Sequence, residues 1–206
     1  MHGDYAAAVP FPSPPWQLRG HLWLSLFAVR STGTSDRAPG LYGAAFVDYQ
    51  EGGVLTYQEL LVARLVRDGR MPRVNITDIW VNSLASHDGG RSLWAIPKAL
   101  ADLHVTDRRR APMLRTSWDA TIDRSPVATA GFTAAYALPL RTPFVFTTTQ
   151  QRGTGARVVT RVGGSAKIVP CLGTWDFAAD GPLAWLRGRS PVLSLRMSQF
   201  CLSFGG

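Results

Sequence analysis

The chain is predicted to be mainly β, of the α+β class, built as a barrel or sandwich with a few short helices. Three observations carry that expectation. Apolar and polar residues alternate with a period of two over most of the chain, turn signals recur between these runs, and 46% of the 206 residues are apolar, enough to build a core. Charged residues make up only 17%, which argues against disorder.

Residues 1–15 carry Pro10, Pro12, Pro14 and Pro15 and read as an extended arm. They lack a basic stretch followed by an apolar one, so no secretory signal is read there. Strands are expected at 22–29, 41–48 and 74–83, the last rich in β-branched and aromatic residues. Residues 56–66 fit two patterns. As a strand, one face carries Tyr57, Glu59, Leu61, Ala63 and Leu65, with Glu59 the one charge on it. A carboxylate buried in that way is costly unless it has a partner or a task. As a helix, Leu61, Val62, Leu65 and Val66 form the stripe and Glu59 is an ordinary first-turn acid. A short helix is expected at 97–103, because Pro97 suits a first helical position. Later strands are expected at 116–123, 126–138, 144–149, 157–169 and 192–204. Turn signals separate the runs at 37–40, Gly52-Gly53, Asp68-Gly69, 88–90, Gly163-Gly164 and 180–182, and residues 150–155 read as a hairpin loop. No internal repeat or linker interrupts the chain, so a single domain over 1–206 is expected.

The net charge is +8 and the sequence pI about 10.3. The arginines are scattered and match no zinc-finger, basic-helix or RNP-like pattern, so nucleic acid is not the expected partner. No apolar run reaches membrane-spanning length; the best, at 22–29, contains Ser25. Cys171 and Cys201 are expected to be free and reduced, in a cytoplasmic protein. His21, His87 and His104 lack metal-ligand spacing, and no glycine-rich phosphate loop is present, so neither metal nor cofactor is expected. Of the 22 basic residues only Lys98 and Lys167 are lysines. That distinction matters because a desolvated lysine can lose its proton near neutral pH and attack a carbonyl, whereas arginine cannot.

The pieces Tyr57-Gln58-Glu59, Val81-Asn82-Ser83, Gly90-Arg91 and Trp94-Ala95-Ile96-Pro97-Lys98, in this order, resemble the acetoacetate decarboxylase-like family. The opening at 14–20 and the stretch Lys167-Ile168-Val169-Pro170 resemble it too. The likeness is densest over 16–103. It implies a closed, cone-shaped antiparallel β-barrel around a central cavity, and a homo-oligomer. It implies a lyase that decarboxylates a small β-keto acid, of the acetoacetate type, through a Schiff base on Lys98, with Glu59 lining the site. Arg19 is the loose match to an arginine that handles the substrate carboxylate. Arg91 is a second candidate for that task, its plainer reading being a turn anchor. Tyr57 and Trp94 complete the substrate-contacting set as wall.

One position departs from the family pattern. The decarboxylase proper has a second lysine directly after the nucleophile, a neighbour that helps to depress the nucleophile's pKa; this is taken from the family and not read from these residues. Here Ala99 stands in that place. Bringing a lysine from about 10.4 to about 7 takes roughly 4.6 kcal/mol. The expected sources are the apolar neighbours Trp94, Ile96 and Leu100 and the start of the expected helix, whose dipole disfavours a cation. An imine at Lys98 also supports aldol, dehydration or cyclisation chemistry on another carbonyl substrate. The alternative without chemistry is a barrel that binds a small apolar ligand.

Overall fold

A computed structural model describes residues 9–30, 37–136 and 140–206. Residues 1–8 of the expected arm and the end of the strand expected at 126–138 lie outside the described residues. The strands are β1 (Trp16–Val29), β2 (Gly40–Tyr49), β3 (Tyr57–Asp68), β4 (Met71–Val81), β5 (Lys98–Leu100), β6 (Asp102–Arg110), β7 (Met113–Ile122), β8 (Ser125–Ala135), β9 (Thr142–Gln151), β10 (Arg157–Phe177) and β11 (Leu193–Phe204). One α-helix, α1 (Leu84–Trp94), and a 3-10 turn at Ala184–Leu186 complete the elements.

Strands β1 to β4 run as an antiparallel meander. β9, β10 and β11 form a second antiparallel run, and β11 pairs back onto β1. β4 meets β9 to close a ring of seven strands. The closed architecture is therefore as expected, but it is not wholly antiparallel. β4 pairs with both β9 and β5 in parallel, the first through a single bridge from Val74 to Thr148. Side chains reinforce that seam: Asn75 Nδ2 donates to the Thr149 carbonyl at 2.7 Å, and Gln150 Nε2 to the Ile76 carbonyl at 3.3 Å.

β10 serves two sheets. Its first part belongs to the ring, and Cys171–Phe177 pairs with β8 in a cover sheet ordered β10-β8-β7-β6. The period of two decides what each face meets. On β1, Leu22, Leu24 and Leu26 point into the ring, while Trp23 and Phe27 pack outward against the cover sheet. Phe46 of β2 stacks between Trp118 and Trp175, at 4.9 Å and 5.3 Å between ring centres. This outer core is rich in tryptophan; the inner face of the ring is mostly aliphatic, with Phe144, Phe146, Phe200 and Phe204 toward its β9 and β11 side.

Of the two readings of residues 56–66 the strand is found, as β3 from Tyr57, and Glu59 is buried on it. Other expectations are corrected. The segment expected to be a helix at 97–103 is the short strand β5, paired with Ile79–Val81, followed by the start of β6. Leu100 is 45% exposed, so the segment has no continuous apolar stripe to bury as a helix. The helix lies upstream. Ser83 caps it by accepting from the Ser86 N–H, and Ala95 ends it in the left-handed region at φ 54°. Asp88, Gly89 and Gly90 lie inside it rather than in a turn. Gly163 and Gly164 also form no turn. They lie within β10, where a Cβ on Gly164 would come within 2.3 Å of the Cys201 carbonyl oxygen, so the glycine serves close strand approach.

Candidate active site

β3 turns Tyr57 and Glu59 to the interior, with Glu59 beside Val47 of β2 and Val81 of β4. β5 lies alongside β4 with Lys98 level with Ile79 and sends the Lys98 side chain toward Glu59. The stem of Lys98 crosses α1 at Gly90, where a Cβ would sit 2.8 Å from both Lys98 Cδ and Cε. Glycine in this helix therefore provides the groove for the lysine.

Lys98 is 4% exposed and Glu59 3%. Lys98 Nζ donates to Glu59 Oε2 at 2.8 Å and to Ser86 Oγ at 2.8 Å, with the Tyr57 hydroxyl further off at 3.4 Å. Its charge also lies 5.1 Å from the centre of the Tyr57 ring. Tyr49 donates to Glu59 Oε1 at 3.2 Å and stacks on Tyr57 at 4.3 Å. The ammonium's donors and both carboxylate oxygens are thus engaged.

Glu59 and Tyr49 form the polar end of a cavity of about 420 Å³ inside the ring. All seven ring strands contribute to its wall, which is otherwise almost wholly apolar. Lys98 stands behind Glu59 and does not itself line the cavity. Among the described lining residues, Glu59 and Arg64 carry the only formal charges. Arg64 donates to the Pro39 carbonyl, five residues along β3 from Glu59, about 17 Å at about 3.3 Å per residue.

The electrostatics overturn one expectation. Burial pushes the Lys98 pKa down, but the Glu59 carboxylate and, after it, Tyr57 act against burial, and the net direction is up. No helix dipole faces Lys98 in the way expected, because the lysine lies in a strand. The resting amine is an ammonium held in an ion pair. Transfer of one proton across the 2.8 Å to Glu59 would leave the pair's net charge unchanged. Burial, and then the Glu59 charge, hold the Tyr49 hydroxyl well above the ordinary phenol range. Burial also raises Tyr57, with Lys98 partly opposing it. Both stay protonated, Tyr49 donating to Glu59 and Tyr57 accepting from Lys98.

The remaining candidates fall elsewhere. Arg19 is exposed on β1, its side chain running beside Gly52 in the turn after β2, away from Lys98. Arg91 is exposed on α1, and its Nη1 donates to the Lys98 carbonyl at 2.9 Å, so it fixes the backbone of β5. Trp94 is buried, edge-on to Trp16 and Phe204, as part of the wall behind the helix. Ser86 and Tyr49 were not singled out from the sequence. Ser83 is a favoured N-cap residue, and a helix opened there carries Ser86 in its first turn. Tyr49 shares the inward parity of Val47. Among the described residues no group of three His, Cys, Asp or Glu side chains gathers to hold a metal. Nor is any helix of the described residues long and apolar enough to cross a membrane.

Residues 34–191 match the family model for acetoacetate decarboxylase, and the chain belongs to that family. Solved structures share its fold. The enduracididine biosynthesis enzyme MppR complexed with pyruvate superposes with a TM-score of 0.68 at 17% identity, covering 99% of this chain and 92% of that one. The same enzyme complexed with the condensation product of pyruvate and imidazole 4-carboxaldehyde gives 0.64 at 16% identity, covering 98% and 90%. Acetoacetate decarboxylase from Legionella pneumophila gives 0.63 at 14% identity, covering 97% and 90%. No curated protein matches the chain.

Proposed function

We propose that the protein is a lysine-dependent lyase that forms a Schiff base between Lys98 and the ketone of a keto acid and releases carbon dioxide. The observation that carries this is the Lys98 amine, sealed from water, 2.8 Å from the Glu59 carboxylate at the end of an apolar chamber. Glu59 takes a proton from the ammonium, and the neutral amine attacks the carbonyl carbon. Loss of water from the adduct leaves a protonated imine. The bond to the carboxyl carbon then breaks, its electron pair passing into an enamine while carbon dioxide departs. The enamine carbon takes a proton back, Glu59 being the nearest acid, and water hydrolyses the imine to ketone and free amine. Ser86 and Tyr57 hold the amine on this path, and Tyr49 holds Glu59.

A second reading keeps the imine and changes the bond that follows: condensation or dehydration of a neutral carbonyl compound. The charge inventory favours it, since Arg64 is the one cation among the described lining residues and is about 17 Å from Glu59. A substrate carboxylate near Lys98 would have only the iminium for company. The condensation product bound to MppR supports the condensation step alone, because pyruvate, one of its components, is a carboxylate.

Borohydride reduction in the presence of a β-keto acid tests the shared step. A mass increase on Lys98, absent in Lys98→Met, is expected, with carbon dioxide release separating the two readings. No adduct with any keto acid or ketone would remove both.

A further inference from the structure

Imine formation uses one end of the chamber and leaves the rest without a task. Along β3 the wall runs from Glu59 to Leu65, six residues or about 20 Å at about 3.3 Å per residue. The register stacks the inward side chains in layers. Leu24, Ala45 and Leu61 lie side by side one layer beyond Glu59, and Leu26, Gly43 and Ala63 in the next. Ala45 and Ala63 keep the bore open, while Gly43 makes room for the lining leucines: a Cβ there would come within 2.9 Å of Leu24 Cδ1. A volume of about 420 Å³ lies in the range of pockets that hold drug-sized ligands. A short keto acid would fill a small part of it. Water in the remainder would meet apolar walls that offer few hydrogen bonds, which ordered water requires.

We infer that the substrate is a carbonyl compound with a long apolar tail, of the fatty-acyl type, threaded along the ring with its carbonyl at the Lys98 end. This rests on the Schiff-base reading above and specifies the substrate class for that site. Each methylene moved from water into the chamber tightens binding about fourfold.

The test uses the full chain and a series of methyl ketones, which form the same imine without decarboxylating: acetone, methyl pentyl ketone and methyl nonyl ketone. Borohydride trapping on Lys98 is measured against ketone concentration. Half-saturation is expected to fall on the order of a hundredfold from acetone to methyl pentyl ketone, and further for the nonyl compound. Ala45→Phe and Ala63→Phe are expected to collapse that ratio. The series on the unmodified chain stands even where a variant fails to fold. Equal half-saturation along the series, or a preference for acetone, overturns the inference and leaves the imine chemistry intact. Calorimetry with methyl nonyl ketone covers the opposite failure. Binding without trapping at any chain length would retain the tail specificity and remove the Schiff base.

Discussion

At the scale of single residues, the Lys98–Glu59 pair is the feature on which most depends. Both groups are buried, so removing one leaves the other an uncompensated charge. Lys98→Met is expected to destabilise the fold by about 3–5 kcal/mol in urea unfolding, and adding Glu59→Leu is expected to recover most of that loss. The same pair sets a pH dependence. Lys98 titrates above its ordinary value of 10.5, so its stabilising contribution is fully present below 10.5 and is lost as pH rises through the higher folded value. Thermal midpoints of the wild type should therefore fall relative to the Lys98→Met, Glu59→Leu double variant in strongly alkaline solution. An unchanged gap would mean that the amine is neutral at rest. Both members of the pair were legible in the sequence. Glu59 stood out because a strand reading left it as one carboxylate on an apolar face, a position that required a partner. Its partner's charge state was not legible. The apolar neighbours of Lys98 pointed to a depressed pKa, and the nearness of Glu59, with Tyr57 after it, reverses the direction.

At the scale of elements, α1 and β5 act as one clamp. The helix presents a groove at Gly90, Ser86 meets the amine, and Arg91 ties down the strand carbonyl. Gly90→Ala separates this clamp from helix stability. Alanine favours the helix by up to about 1 kcal/mol, yet the new methyl intrudes on Lys98 Cδ and Cε. The expected result is a folded protein, by circular dichroism, that has lost most borohydride trapping. Trapping at the wild-type level would show that the lysine has another path to the chamber. This clamp was the least legible part of the chain. Asp88-Gly89-Gly90 carries the composition of a turn, and the glycines owe their place to Trp16 and Lys98 packing against the helix, which no local pattern reveals. Pro97 fits the start of a helix or of a strand equally well, and pairing with β4 decided between them. β6 was hidden by its polarity, since 102–110 ends in three arginines. The run at 22–29 was legible because Trp23, Ser25, Phe27 and Val29 bury one face of it throughout, while the first six residues of β1 were missed where the buried parity switches at Gly20.

At the scale of the whole molecule, the ring and the cover sheet share the aromatic layer around Trp118. Trp118→Ala removes a side chain 2% exposed that stacks on Phe46 and meets Trp23 edge-on. A loss of about 3–5 kcal/mol is expected. β10 runs through both sheets, so tryptophan fluorescence and far-ultraviolet dichroism should still report one coincident transition. Two separated transitions would show that the cover unfolds on its own. The circumference of the ring is not uniform, however. Six of its seven contacts are long ladders, three of them with a register shift, while Val74 and Thr148 make the seventh with help from the amides of Asn75 and Gln150. Each of those bonds contributes a net of only about 0.5–1.5 kcal/mol, because water can replace the partner. Like a cask with one loosely fitted stave, the wall parts most cheaply there, and any widening of the bore for a bulky guest begins along that joint.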